Sequence, residues 1–428
     1  MSVSAATTSP PLSPTSRVVS MDQFRGYAVA GMFVVNFLGG LAVTHQVLKH
    51  NNTHFSWADS IMPGFLFACG FSYRLSVLRK IPKLGRPAVW LGIAKRSLGL
   101  VLLSLVLYGL GSSFDSWQAI DAASVQSFAA EMLKADLWEV LAIIGVVQLL
   151  LLPVVELSWR LRLVIAIVLS LSHIALSGWF NYWFVYGQPN WFDELLGTTG
   201  RRAWDGGCFG LISWGVVMLA GTLAYDLMST QTVRRAASTL VVWGIALMGI
   251  GYAASCLTTL YQVDDQYRAP VESEIDSKFA TSPVIPPWEN AEGRSWSSLL
   301  AEAPFFEPPG TDQRKLNYWM MDKRVVTQSF VWFSTGFTCL VYAVFVLLCD
   351  LGTLRVGLFT LFGQNALVAY AIHHPVAEMV LQVVPKDSPV WWATAGMCLF
   401  YLITWLFVVA FVNMFSGSAG KPSSGSSA

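Results

Sequence analysis

SMDQFRGYAVAGMFVVNFLGGLAVTHQVLKHNNTHFSWADSIMPGFLFACGFSYRLSVLR, residues 20–79, holds two apolar stretches on either side of a short polar loop. The loop collects His45, His50, Asn51, Asn52 and His54, and Asp59 stands at the entrance of the second stretch. Each stretch is close to the roughly 20 apolar residues that a helix needs to cross a bilayer. Polar and ionisable side chains in such a setting are costly and usually serve a function. The hairpin therefore reads as two membrane helices carrying a site at one surface.

The rest of the chain extends this reading. Of 428 residues, 54% are hydrophobic and only 12% are charged, and the mean hydropathy is +0.53. Soluble domains carry about a quarter charged residues. An all-α polytopic membrane protein is expected, in contact with lipid along its length. Ten spans are placed at 26–44, 58–78, 97–112, 137–155, 163–183, 208–227, 237–260, 329–348, 357–380 and 390–413. The segment 119–134 makes an eleventh if it enters the bilayer, but its charges favour an interfacial helix.

With ten spans and an inner N-terminus, 15 of the 27 Lys and Arg fall inside, against five in short outer segments and seven in the long loop 261–328. Long loops count little, so both termini are expected in the cytoplasm. Residues 1–16, rich in Ser, Thr and Pro, read as a disordered tail, 17–413 as one membrane domain, and 414–428 as a flexible tail. The extracytoplasmic loop 261–328 is either a lid over the outer mouth or a solvated insertion. All six cysteines lie in or beside spans, so no disulfide is expected to hold that loop. A net charge of +1 gives no sign of a nucleic-acid partner.

Three constellations carry the chemistry. At the inner end, Asp22 and Arg25 are three residues apart and share a helix face. They make a local ion pair or an anchor for a phosphate-bearing ligand, together with Arg74, Arg79 and Lys80 on the same side. Further along the first helix, Asn36 lies roughly 21 Å from Asp22 at 1.5 Å per residue. Its amide makes an interhelical bond or polarises a carbonyl under attack. At the outer surface, His50 or His54 has the type of side chain that acts as a base near neutral pH. Asp59 either caps its helix or orients a histidine. No metal is expected, because the histidine spacing matches no compact ligand motif and no cysteine joins it. In the ninth span, Asn365, Tyr370, His373 and His374 add a second polar group on the same side, assigned to the acceptor.

The motifs S-x-D-x-F-R-G at 20–26, V-N-x-x-G-G at 35–40, Lys49-His50, A-D-x-x-x-P-x-F-x-F at 58–67 and, in the ninth span, Gly363, Asn365, Tyr370 and His373 are similar to those of a known family. The segment LAIIGVVQLL at 141–150 adds a weaker match. The chain resembles the heparan-alpha-glucosaminide N-acetyltransferase family of transmembrane acyltransferases. The resemblance implies acetyl-CoA as cytosolic donor and an amine or hydroxyl of an extracytoplasmic sugar or glycan as acceptor. It gives Asn36 and His50 the family's functional positions, with His54 as the alternative histidine. The missing domain before the first span and the insertion before the eighth differ from the lysosomal enzymes. They point to a bacterial inner-membrane member. Oligomeric state is left open, with a homodimer among the options. The rival reading is a proton-coupled transporter with an intramembrane His/Asp relay; it would need broken helices in matched halves.

Overall fold

The computed structural model describes residues 18–109, 114–263 and 278–416. The tail 1–16, Arg17, residues 417–428 with Lys421, and positions 264–277 of the long loop lie outside the described residues. The chain is helical throughout: α1 Val19–Leu38, α2 Trp57–Leu84, α3 Arg86–Tyr108, α4 Ala122–Glu131, α5 Val140–Leu150, α6 Trp159–Leu176, α7 Tyr182–Tyr186, α8 Trp191–Leu196, α9 Gly207–Thr230, α10 Val233–Ser255, α11 Gln328–Phe345, α12 Gly357–Gln364, α13 Ala366–Leu381 and α14 Val390–Ser416. Each of the ten expected spans finds a helix. Among the described residues, seven helices are long and apolar enough to cross a bilayer by themselves. The fold is that of an integral membrane protein.

Two expected boundaries move. The third span begins at Arg86, well before 97, because Lys95 and Arg96 sit within α3 rather than before it. Long cationic side chains can run along apolar surface and keep their heads in water. The ninth span is two helices, not one. Asn365 adopts φ −120° and ψ 36°, and the chain breaks there between α12 and α13.

Helices α2 and α9 run through the centre, while α3, α6, α10 and α14 leave most side chains exposed, as lipid-facing helices do. Phe24, Phe67 and Tyr342 pack α1, α2 and α11 into one aromatic core. α1 and α12 touch backbone to backbone. A Cβ on Gly26 would lie 1.9 Å from the Phe359 carbonyl oxygen, and one on Gly363 1.9 Å from that of Asp22. Only glycine allows this approach. Between α2, α6 and α9, Asp226 pairs with Arg74 at 3.0 Å and with Arg162, which also donates to Thr222 at 2.6 Å.

The described part of the long loop is docked on the bundle rather than solvated. Val284, Tyr318 and Val325 complete an aromatic cluster with Phe180, Tyr182 and Phe184. Arg314, almost fully buried, forms a two-pronged pair with Glu302 at 2.6 and 3.0 Å. The Phe305 amide donates to the Phe55 carbonyl at 2.9 Å, which ties the loop to the 39–56 turn. Asp322 accepts from the Tyr186 hydroxyl at 2.5 Å. Burial raises the Asp322 carboxyl to about 6 against its bonds to Tyr186 and the Arg324 amide. A carboxyl raised in the folded state is a stability cost that appears as pH climbs from about 4 to about 6 and is fully present above that. The loop should therefore grip more tightly near pH 4 than at pH 7 where this group is concerned. Asp322→Asn should flatten that slope in proteolysis of the loop measured across the range.

Candidate functional site

A cleft of about 480 Å³ opens between α2, α3, α5 and the α12–α13 break. Residues of α2 from Phe65 to Leu84 line it, a run of about 28 Å at 1.5 Å per residue. Leu84 and Ala88 stand at the α2–α3 turn, on the side where the basic residues gather, and Tyr370 stands at the opposite end. Its polar lining includes Arg25, Lys80 and Arg96, then Ser72, Gln148 and Asn365. Phe65, Leu100, Leu141 and Ile144 make its outer part apolar.

Arg25 is fixed in the wall. It donates to the Gly363 carbonyl at 3.0 Å and to the Ser72 hydroxyl at 2.6 Å, and Asp22 lies 3.7 Å away on its own helix. The ion pair and the cleft position coexist. Lys80 lines the cleft as well, whereas Asp22, Arg74 and Arg79 do not. Arg74 is held by Asp226 and the Val155 carbonyl in the interior network. The sequence could not show that claim on Arg74, since Asp226 is 152 residues away. Arg96, which the sequence does not single out, lines the cleft as well.

One turn beyond Tyr370, the outer polar residues begin. Asn36 Nδ2 lies 3.0 Å from His373 Nε2. His373 Nδ1 contacts the Tyr370 carbonyl, which can only accept, so Nδ1 carries the proton. In the neutral ring Nε2 then accepts from Asn36. This leaves the second Asn36 N–H free to donate elsewhere. His373 is buried and stacks on Phe33, with ring centroids 5.1 Å apart. The Tyr370 hydroxyl, at the outer end of the cleft, accepts from that of Tyr108 at 2.8 Å. His374 packs on the Tyr108 ring at 4.9 Å and pairs with Glu378 at 3.2 Å. Asn365 turns its amide back to the Leu361 carbonyl at 2.9 Å.

The second outer unit is a histidine–carboxylate pair. His50 Nδ1 lies 2.8 Å from Asp59 Oδ1. A carboxylate accepts, so Nδ1 donates and Nε2 keeps its lone pair. Asp59 Oδ2 takes the Ser56 amide at 3.1 Å and the Ser56 hydroxyl at 2.7 Å. Ser56 in turn caps the Asp59 amide, a reciprocal box that starts α2. Capping and orienting are thus one arrangement, not alternatives. Asp59 is buried, while the His50 side chain is 42% exposed. His54 is half-buried under the docked loop, bonded to Thr53, and burial lowers its pKa against the pull of Glu307 and Asp59. Among the described residues no hydrogen bond joins His50 to Asn36; Asn36 is paired with His373 instead.

A comparison with curated proteins gives no match. The family model described as heparan-alpha-glucosaminide N-acetyltransferase, catalytic, matches residues 17–254. That range holds Asn36, His50 and most of the cleft and ends before α11, which with α12–α14 supplies His373 and the break at Asn365. The match covers more than half of the chain, and the protein belongs to the heparan-alpha-glucosaminide N-acetyltransferase family of transmembrane acetyltransferases.

Proposed function

We propose that the protein takes an acetyl group from acetyl-CoA on the cytoplasmic side and delivers it to an amine or hydroxyl of a sugar on the other side. The observation that carries this reading is the cleft. It leads from a cationic inner half to Tyr370, one helical turn from Asn36 and His373. The polyanionic nucleotide suits Lys80, Arg25 and Arg96, and the slender thioester arm suits the apolar outer part. The Tyr108–Tyr370 pair must part for the acetyl group to pass.

In this reading, His50 removes the proton from the acceptor with Nε2 while Asp59 holds its Nδ1–H and steadies the imidazolium. The acceptor attacks the thioester carbonyl, and the free Asn36 N–H donates to the oxyanion. His373 fixes the Asn36 amide in that pose. Collapse of the intermediate expels the CoA thiolate, which regains a proton from His50. Two steps need motion, because His50 lies in the outer turn and the tyrosine pair stands at the outer end of the cleft. The docked segment 278–327, held to Phe55, is suited to govern acceptor entry as a lid.

Asn36→Ala should lower kcat by about 10²–10³-fold, the scale of losing one oxyanion donor. CoA binding should be little changed, since Asn36 is not on the cleft wall. Proteoliposomes with labelled acetyl-CoA on the inner-loop side and glucosamine on the other provide the direct test. Label on the sugar supports the enzyme. No label on any amino or hydroxyl sugar, together with solute uptake driven by a pH gradient, would establish the transporter instead.

A further inference from the structure

The cleft contains a buried amide that the chemistry above does not use. Gln148 on α5 is 6% exposed and lines the cleft one turn inward of Ile144. Its backbone carbonyl accepts the Tyr73 hydroxyl at 2.9 Å. Among the described residues, nothing bonds its side-chain amide. The residue is buried, but its amide nitrogen and oxygen are not sealed off from the cleft, which leaves them able to meet a ligand there. Ile144 and Leu100, which line the same cleft, are apolar.

The break at Asn365 supplies a second set of unused groups. Ala366, Leu367 and Val368 line the same cleft. As the first turn of a 16-residue helix, their N–H groups precede the first intrahelical bond, which Ala369 makes to the Asn365 carbonyl at 2.9 Å. The slot therefore has N–H donors on the α13 wall and an amide that both donates and accepts on the α5 wall. Phosphates would seek the cations Arg25, Lys80 and Arg96. A neutral secondary amide matches Gln148, because it too gives one hydrogen bond and accepts another.

The geometry points to Gln148, with the first turn of α13, as the positioning site for the amide-bearing pantetheine arm of the donor, an inference that rests on the donor reading above. Gln148 acts on the arm and not on the thioester, so it sets donor register and discriminates against thioesters without amides. The probes are CoA and 3′-phospho-ADP, which keeps every phosphate of CoA and lacks the arm. Binding is measured by calorimetry on the full-length protein in nanodiscs. The wild type should bind CoA more tightly than 3′-phospho-ADP. Gln148→Leu, close in volume, should weaken CoA about tenfold and leave 3′-phospho-ADP unchanged, which also shows that the variant is folded. Equal weakening of both ligands, or of neither, overturns the assignment. A wild type that binds CoA no better than 3′-phospho-ADP overturns it as well. A wild type that binds neither ligand removes the donor reading itself, and this inference with it.

Discussion

Replacing His50 with alanine should cut acetyl transfer by about 10³-fold while leaving a folded membrane protein that still binds CoA. The size follows from general base catalysis, which contributes roughly 10²–10⁴-fold. The selectivity follows from position. His50 sits in the outer turn on Asp59, and no part of it lines the donor cleft. Asp59→Asn should be less severe in chemistry but costlier in structure, because Asp59 also closes the cap of α2 through Ser56. Initial rates on proteoliposomes, paired with calorimetric CoA affinity, separate these effects. Full activity in the His50 variant would move the base to His54, whose pKa burial lowers, or to His373.

The largest stability effect should come from a pair far from any reaction. Lys134 Nζ lies 2.5 Å from Asp193 Oδ1, and both side chains are fully buried. Thr198 and Asn190 also donate to the Asp193 carboxylate, at 2.6 and 2.7 Å, and Lys134 donates to the Thr198 carbonyl at 3.0 Å. Lys134→Met would strand the carboxylate in the interior at a cost of about 3–5 kcal/mol. The double variant Lys134→Met/Asp193→Leu should recover a large part of that loss, since two apolar side chains can replace a buried pair. Thermal unfolding in detergent measures both. A single variant that melts with the parent would show that water reaches the pair.

The transverse architecture was legible because a bilayer imposes it. Apolar length maps onto span length, and all ten stretches became helices. Local pairings were legible for the same reason of reach. Asp22 with Arg25, and Ser56 with Asp59, are three residues apart, and helix geometry alone brings them together. The break at Asn365 was hidden because hydropathy stays high from 357 to 380, and one asparagine does not interrupt it. Long-range partners were hidden altogether. For Asn36 the sequence offers an interhelical bond without naming the helix, and the partner, His373, is 337 positions away. A scan of the chain in isolation carries no information about which helix packs beside which. The pairing of Arg74 with Asp226 on α9, 152 positions away, was hidden for the same reason.

The backbone contact between Gly26 and the α12 segment has a wider consequence. It seats the C-terminal third of the chain directly against the N-terminal helix, so the two ends of the sequence jointly build one wall of the cleft. A fragment cut after residue 254 would keep His45, His50 and His54 and the matched range, yet lack Asn365, Tyr370 and His373. The smallest piece that could work in isolation is thus close to the whole polypeptide, and homology-based trimming would remove half of its machinery.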